Sequence, residues 1–166
     1  MDKINYPLLC YPLKDQGILG ILVGTDYKVI QKDVETVKRT LLSHLQRQYK
    51  KYDDYPYMDL LGSKLKVIEV KIRPTIRSKT GTFPLSYAVK VPVPVIYGET
   101  EQGYYECFLP LFDERFAYYD QKQFDALVKH SATSLLNQTP PEKIYRLLSY
   151  ETPFLETITL RVNFDR

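Results

Sequence analysis

Apolar residues recur along this chain at two different periods, and the two alternate in blocks. Tyr6 to Leu13 and Ile18 to Val23 are apolar runs separated by Asp15-Gln16-Gly17. Val89 to Tyr97 and Tyr104 to Leu111 are separated by Glu101-Gln102-Gly103. Each pair reads as a β-hairpin closed by a polar turn whose Gly can take positive φ. A short third strand is predicted after each, over 27–31 and 115–119. A helical period follows in both cases. Val34, Val37, Leu41, Leu45 and Tyr49 form a stripe behind Asp33, a residue suited to accept from the free N–H groups of a first turn. Phe124, Leu127, Val128, Ala132 and Leu135 form a second stripe behind Asp120, with Gln123 completing a capping-box pattern. Each block then closes on an alternating strand. Val70 and Ile72 point one way and Glu69, Lys71 and Arg73 the other; Ile158, Leu160 and Val162 alternate with Thr157, Thr159 and Arg161.

The pattern therefore repeats. It predicts an α+β fold of two divergent β-β-β-α-β halves, a pseudo-duplication, each with a sheet covered on one face by its helix. The first half is assigned to 1–74, a connecting loop to 75–86 and the second half to 87–166. The loop contains Ser78-Lys79-Thr80-Gly81-Thr82, a mobile-loop composition. The second half carries one extra helix, announced by Thr139-Pro140-Pro141-Glu142 and buried through Ile144, Leu147 and Leu148.

Composition narrows the class. The chain has 166 residues, 44% hydrophobic and 26% charged, with 15 Tyr and 7 Phe, which argues for a folded globular protein over a disordered one. No apolar run is long enough to span a bilayer, and Met1 to Asn5 has no signal-peptide core, so a cytoplasmic location and reduced cysteines are expected. The net charge of +3 conceals a division. Residues 1–83 carry 15 Lys and Arg against 9 Asp and Glu, whereas residues 84–166 carry 8 against 11. A basic half joined to an acidic half can self-associate or take two partners.

Few residues are arranged for chemistry. His44 and His130 fall inside predicted helices with no nucleophile elbow nearby, and neither phosphate-loop glycine pattern occurs. Cys10, Cys107, His44 and His130 occupy matching places in the two halves, and soft thiolates and imidazoles suit zinc. The local spacing of a metal site is nevertheless missing, so neither metal nor cofactor is expected. Asp59 ahead of Glu69-Val70-Lys71 resembles the acidic-then-ExK pattern of PD-ExK nucleases, which implies two carboxylates on Mg²⁺ and a lysine beside the attacking water. Met58 stands where that family usually has Pro. Basic residues interleave with aromatics at Lys50, Lys51 and Tyr52, and with Arg73 and Arg77 they form the nucleic-acid-binding alternative. The Tyr-rich segment Tyr49 to Tyr57 suits a protein interface, because Tyr offers contact area at little entropic cost.

Two family resemblances add to this reading. Tyr6-Pro7-Leu8-Leu9, Asp15-Gln16-Gly17, Val29-Ile30 and Asp33-Val34-Glu35-Thr36-Val37 resemble a HicB-type module over about 45 residues of the first half. HicB proteins are antitoxins that block a small RNA-cleaving toxin. Val70 to Pro74, Arg77, Phe83-Pro84, Val91-Pro92-Val93, Gly98, Tyr105 to Pro110, Phe116 and Tyr118-Tyr119 are similar to the amino-terminal domains that precede Clp-type AAA+ modules in bacterial proteins. That resemblance implies recruitment of substrates or adaptors without chemistry. The expected function is a non-catalytic protein-interaction module. Its expected partner-binding residues are Tyr52, Tyr55, Tyr57, Arg73 and Arg77. A protein partner is expected, with nucleic acid as the rival ligand, self-association open and no membrane.

Overall fold

A computed structural model describes residues 2–163. The first three strands are β1 (Asp2–Leu13), β2 (Gly17–Leu22) and β3 (Lys28–Gln31), followed by helix α1 (Val34–Tyr52). Asp33 Oδ1 accepts from the Thr36 backbone N–H at 2.7 Å, so the helix starts where the sequence placed it. Val37, Leu41 and Leu45 are its buried stripe. The chain continues through β4 (Lys64–Ile72), β5 (Thr75–Ser78), β6 (Gly81–Pro84), β7 (Val89–Glu99), β8 (Tyr105–Leu109) and β9 (Glu114–Tyr118). Helices α2 (Phe124–Asn137) and α3 (Pro141–Leu148) and strand β10 (Phe154–Val162) complete it. The fold is α+β with antiparallel sheets.

The pairing departs from the expectation in one respect. The strand after each helix joins the other sheet. The first sheet has the order β10-β1-β2-β3 and the second β4-β7-β8-β9. β10 runs along β1 from Asp2↔Val162 to Cys10↔Phe154. β4 runs along β7 from Lys64↔Tyr97 to Ile72↔Val89. Alternation within a strand says which face is buried but not against which neighbour, so both arrangements satisfy the same sequence pattern.

Three cores stack in order. Tyr6, Leu8, Cys10 and Leu22 of the first sheet meet Val37, Leu41 and Leu45 of α1. The opposite face of that sheet, through Leu9, Tyr11, Ile21 and Val23, packs on Ile96 and Phe108 of the second sheet. The far face of the second sheet, with Val70, Val93, Val95 and Leu109, is covered by Val128, Ala132 and Leu136 of α2 and Ile144 of α3. Both sheets are thus sandwiched between helix layers. Gly20 sits in β2 beneath α1, and a Cβ there would overlap Val37. Pro92 and Pro94 are tolerated in β7 because β8 pairs only from Ile96 onward, leaving that part of β7 with one neighbour.

Smaller differences have local causes. Asp120 does cap, accepting from Lys122 N–H at 2.9 Å, but on a short 3₁₀ turn that precedes α2. The buried stripe of α2 ends on Leu136, with Leu127 turned outward. Thr139 does not cap α3: its hydroxyl donates back to Leu135 O of α2 at 2.7 Å, and Pro141 opens the helix behind Pro140. The 75–86 connection is not an unstructured loop, since it contains the β5–β6 hairpin. Each of its strands has four residues and no buried face, so no alternation marked it.

The exchanged strands make each half depend on the other. Fragments 1–74 and 87–166, expressed separately, are expected to lack cooperative unfolding by circular dichroism and to regain it on equimolar mixing. Even a closing strand that folded back into its own sheet would leave Leu9, Tyr11, Ile21 and Val23 without their cover from Ile96 and Phe108. A monomeric 1–74 fragment with its own sharp transition would contradict this.

Candidate functional site

β4 ends at Ile72, and the chain leaves the body at Arg73 and Pro74 to form a projecting arm. Leu85 N–H donates to Pro74 O at 2.8 Å and ties the base of the arm together. Beyond it Ile76 pairs with Phe83 and Arg77 with Thr82. The tip is held by Ser78, whose Oγ accepts from Thr80 N–H at 3.2 Å and sits 3.3 Å from Gly81 O. Gly81 takes φ 140°, which its lack of a Cβ permits. All eight paired residues are exposed. Ile76 retains 46% and Phe83 52% of its free surface, and the two large apolar side chains are set opposite one another.

A groove of about 680 Å³ separates the arm from the α2–α3 junction. Arg73, Ile76 and Arg77 line one side, and Asn137, Pro140 and Glu142 the other. The guanidinium groups supply planar donor forks beside an apolar strip, a combination that fits carboxylates on an extended chain. At the body, Tyr87 and Tyr145 are both about half exposed and their hydroxyls lie 3.2 Å apart. That hydrogen bond raises the Tyr145 phenol above its ordinary value.

The other sequence-predicted residues are dispersed. Lys50 and Lys51 occupy the last turn of α1, where they complement the helix dipole. Lys51 Nζ stands 4.8 Å from the centre of the Tyr52 ring. They belong to the layer that covers the first sheet, whereas Arg73 and Arg77 belong to the arm of the second, so the four basic residues do not form one surface. The tyrosines divide as well. Tyr52 is exposed at the end of α1, and Tyr55 packs edge-on to Tyr49 with ring centroids 5.8 Å apart. Tyr57 is 67% exposed in the segment that crosses to the second sheet.

The nuclease pattern does not assemble. Asp59 O accepts from Glu101 N–H at 3.1 Å and Leu60 pairs with Thr100, beyond the carboxyl end of β7. Glu69 lies opposite Pro92 and is bound to Lys90 at 3.4 Å. Pro92 and Thr100 are eight positions apart, which on an extended strand is about 25 Å. Lys71 is exposed beside Glu69, equally remote. The thiols and imidazoles also stay apart. Cys10 is in the core under α1 and Cys107 in the core under α2, with the whole inter-sheet layer between them. His44 meets the Tyr27 ring edge-on at 4.4 Å. Among the described residues no three His, Cys, Asp or Glu side chains converge as metal ligands.

The end of the second sheet opposite the arm has a different character. Residues 57–62 cross over β7 there, and a Cβ on Gly98 would overlap the Gly62 carbonyl. Asp59 is only 5% exposed, and its Oδ2 has no hydrogen-bond partner among the described residues. Burial, with the Asp59 carboxylate next, raises Glu106 above the usual carboxylate range, against the opposing charge of Arg115. Burial also raises the Tyr104 phenol, as do Glu106 and Asp59, and the Tyr104 and Tyr119 rings lie 6.0 Å apart. Asp113, also acidic, lies elsewhere, 3.5 Å from Lys28.

Ile76, Phe83 and the Asp59–Glu106 proximity were missed by sequence reasoning. A Ser-Lys-Thr-Gly turn flanked by Thr-Ile-Arg and Thr-Phe-Pro is a readable hairpin signal for the first two. The third depends on a crossing that only the tertiary fold creates. Among the described residues no helix is long and apolar enough to cross a membrane. Comparison with family models, curated proteins and solved structures gave no match.

Proposed function

We propose that this chain is a non-catalytic protein-interaction module whose β5–β6 arm and adjoining groove hold an acidic, partly apolar segment of a partner. The observation that carries the reading is the Ile76–Phe83 pair. Two large apolar side chains are held outside the body on a short ladder, flanked by Arg73 and Arg77. Such side chains supply contact area at the centre of an interface, and guanidinium groups supply register and charge preference around it. The strand edges of the arm add unpaired backbone groups that an extended peptide can use. The dispersal of Lys50, Lys51, Arg73 and Arg77 favours this reading over a nucleic-acid groove.

Recruitment of substrates or adaptors to a bacterial cytoplasmic AAA+ ATPase is the role we assign to such a module, following the resemblance of the second half. We further infer that the two units arose by duplication of one β-β-β-α-β element. The matching orders β10-β1-β2-β3 and β4-β7-β8-β9 support that origin.

Replacing Ile76 and Phe83 together by Ser is expected to leave the unfolding transition unchanged, because both side chains are outside the cores. Capture of the specific protein partner from native cells should fall at least tenfold, as expected for loss of an apolar anchor worth about 1.4 kcal/mol or more. The same loss with Tyr52→Ser alone, and none with the arm variant, would move the interface to the end of α1. Recovery of nucleic acid in place of protein would support the rival ligand.

A further inference from the structure

The arm and the acidic, aromatic end of the second sheet are at opposite ends of the same strand. The arm enters β7 at Val89, opposite Ile72, whereas Tyr97 at the other end is opposite Lys64. β7 has 11 residues, so the two ends are separated by about 35 Å. The arm side carries Lys71, Arg73, Arg77 and Lys79; Lys90 there is paired to Glu69, and Glu142 lies across the groove. The far end carries exposed Glu99, Glu101 and Asp120 together with half-buried Glu106. Tyr57, Leu61 and Tyr119 add apolar surface there, at 67%, 68% and 82% exposure. Lys64, Lys122 and Arg115 lie in the same region and reduce its charge without reversing it, with buried Asp59 adding to the acidic side.

We infer that the arm of one molecule docks on the acidic aromatic end of a second copy, head to tail. This rests on the reading of the arm as a binding surface and names its partner. The two surfaces complement each other in sign, and each offers large exposed apolar side chains to the other. A separation of about 35 Å prevents the short arm from folding back on its own molecule's far end. The contact joins two different surfaces, so it propagates from copy to copy unless a ring closes. Exposed charges on both sides make it sensitive to ionic strength.

Sedimentation velocity on the intact chain tests this directly. The 19.5 kDa monomer should give way to larger species as concentration rises at low salt and should return at high salt. Arg73→Glu with Arg77→Glu should abolish association, and so should Glu99→Arg with Glu101→Arg in a separate variant. Mixing the two reversed variants should restore it, since each then offers the charge that the other lacks. Restoration also establishes that both variants are folded. A wild type that stays monomeric at every concentration and salt overturns the inference, as does association that neither reversal affects, or reversed variants that do not recover on mixing. If the wild type is monomeric while Phe83 still crosslinks to another protein, the self-docking fails and the binding arm stands. If neither is seen, both fail.

Discussion

Above pH 9 the protein is expected to lose stability steeply as pH rises. The cause is a set of acidic protons that burial holds in place. Burial raises the Cys10 thiol from its ordinary value near 9 to about 11 and the Cys107 thiol to about 12. Burial likewise raises the Tyr118 phenol from near 10 to about 12, and pushes Tyr6 and Tyr11 upward in the same direction. All five side chains are at most 3% exposed. The unfolded chain releases these protons first, so above pH 9 the folded state binds more protons and stability falls as pH rises. Below the unfolded values the contribution is fully present, and it is lost as pH climbs through the folded values. Each group removes about 1.4 kcal/mol per pH unit inside its window. By pH 11 the sum is on the order of 5–10 kcal/mol, comparable to the whole stability of a domain. Urea titrations at half-unit steps from pH 8 to pH 11, buffered at constant ionic strength, measure it. A Cys107→Ala variant should have a shallower slope above pH 9. Stability that is flat to pH 11 would mean that these groups are not buried as described.

The second large effect tests the exchanged strands. An Asn5→Cys, Thr159→Cys variant is expected to oxidise to an intramolecular disulfide. The two positions are paired across β1 and β10, and their native side chains already touch, with Thr159 Oγ1 donating to Asn5 Oδ1 at 2.7 Å. They are 154 positions apart in sequence. Closing so long a loop restricts the unfolded chain enough to raise the unfolding free energy by up to about 5 kcal/mol, with native strain subtracting from that. The native thiols do not compete, since both are buried and protonated near neutrality. The faster electrophoretic migration of an oxidised monomer reads the bond, and urea unfolding with and without reductant reads its effect. Only intermolecular disulfides, or no bond at all, would mean that β10 does not lie on β1.

The elements were legible because each carries its own local signal. Asp33 ahead of the Val37–Leu41–Leu45 stripe located α1, and the Asp15-Gln16-Gly17 and Glu101-Gln102-Gly103 turns located both long hairpins. The alternation of Ile68, Val70 and Ile72, and of Ile158, Leu160 and Val162, located the closing strands and their buried faces. Their partners were not legible. β4 and β10 have the same alternation, which marks a buried face and does not distinguish β1 from β7 as the neighbour. The site was legible in part. Arg73 and Arg77 stood out as charges after a strand, and the structure places both on one groove. The Tyr49 to Tyr57 cluster looked like one surface because it is contiguous in sequence, yet a helix end followed by a crossing segment sends Tyr52, Tyr55 and Tyr57 to different surroundings. Asp59 and Glu69 shared a pattern on paper, and an extended strand separates them.

The arm unites the functional account. It interrupts an otherwise direct β4-to-β7 connection with an exposed ladder that contributes no side chain to the three cores. Its apolar pair stands outside the body, opposite one another on the ladder and open to a partner. The most direct test places a photo-reactive amino acid at Phe83 in living cells, with Tyr52 and Thr157 as comparison positions. A discrete protein adduct is expected at position 83, removed by Arg73→Glu with Arg77→Glu, and none at the other two positions. Adducts confined to Tyr52, with none at Phe83, would contradict this.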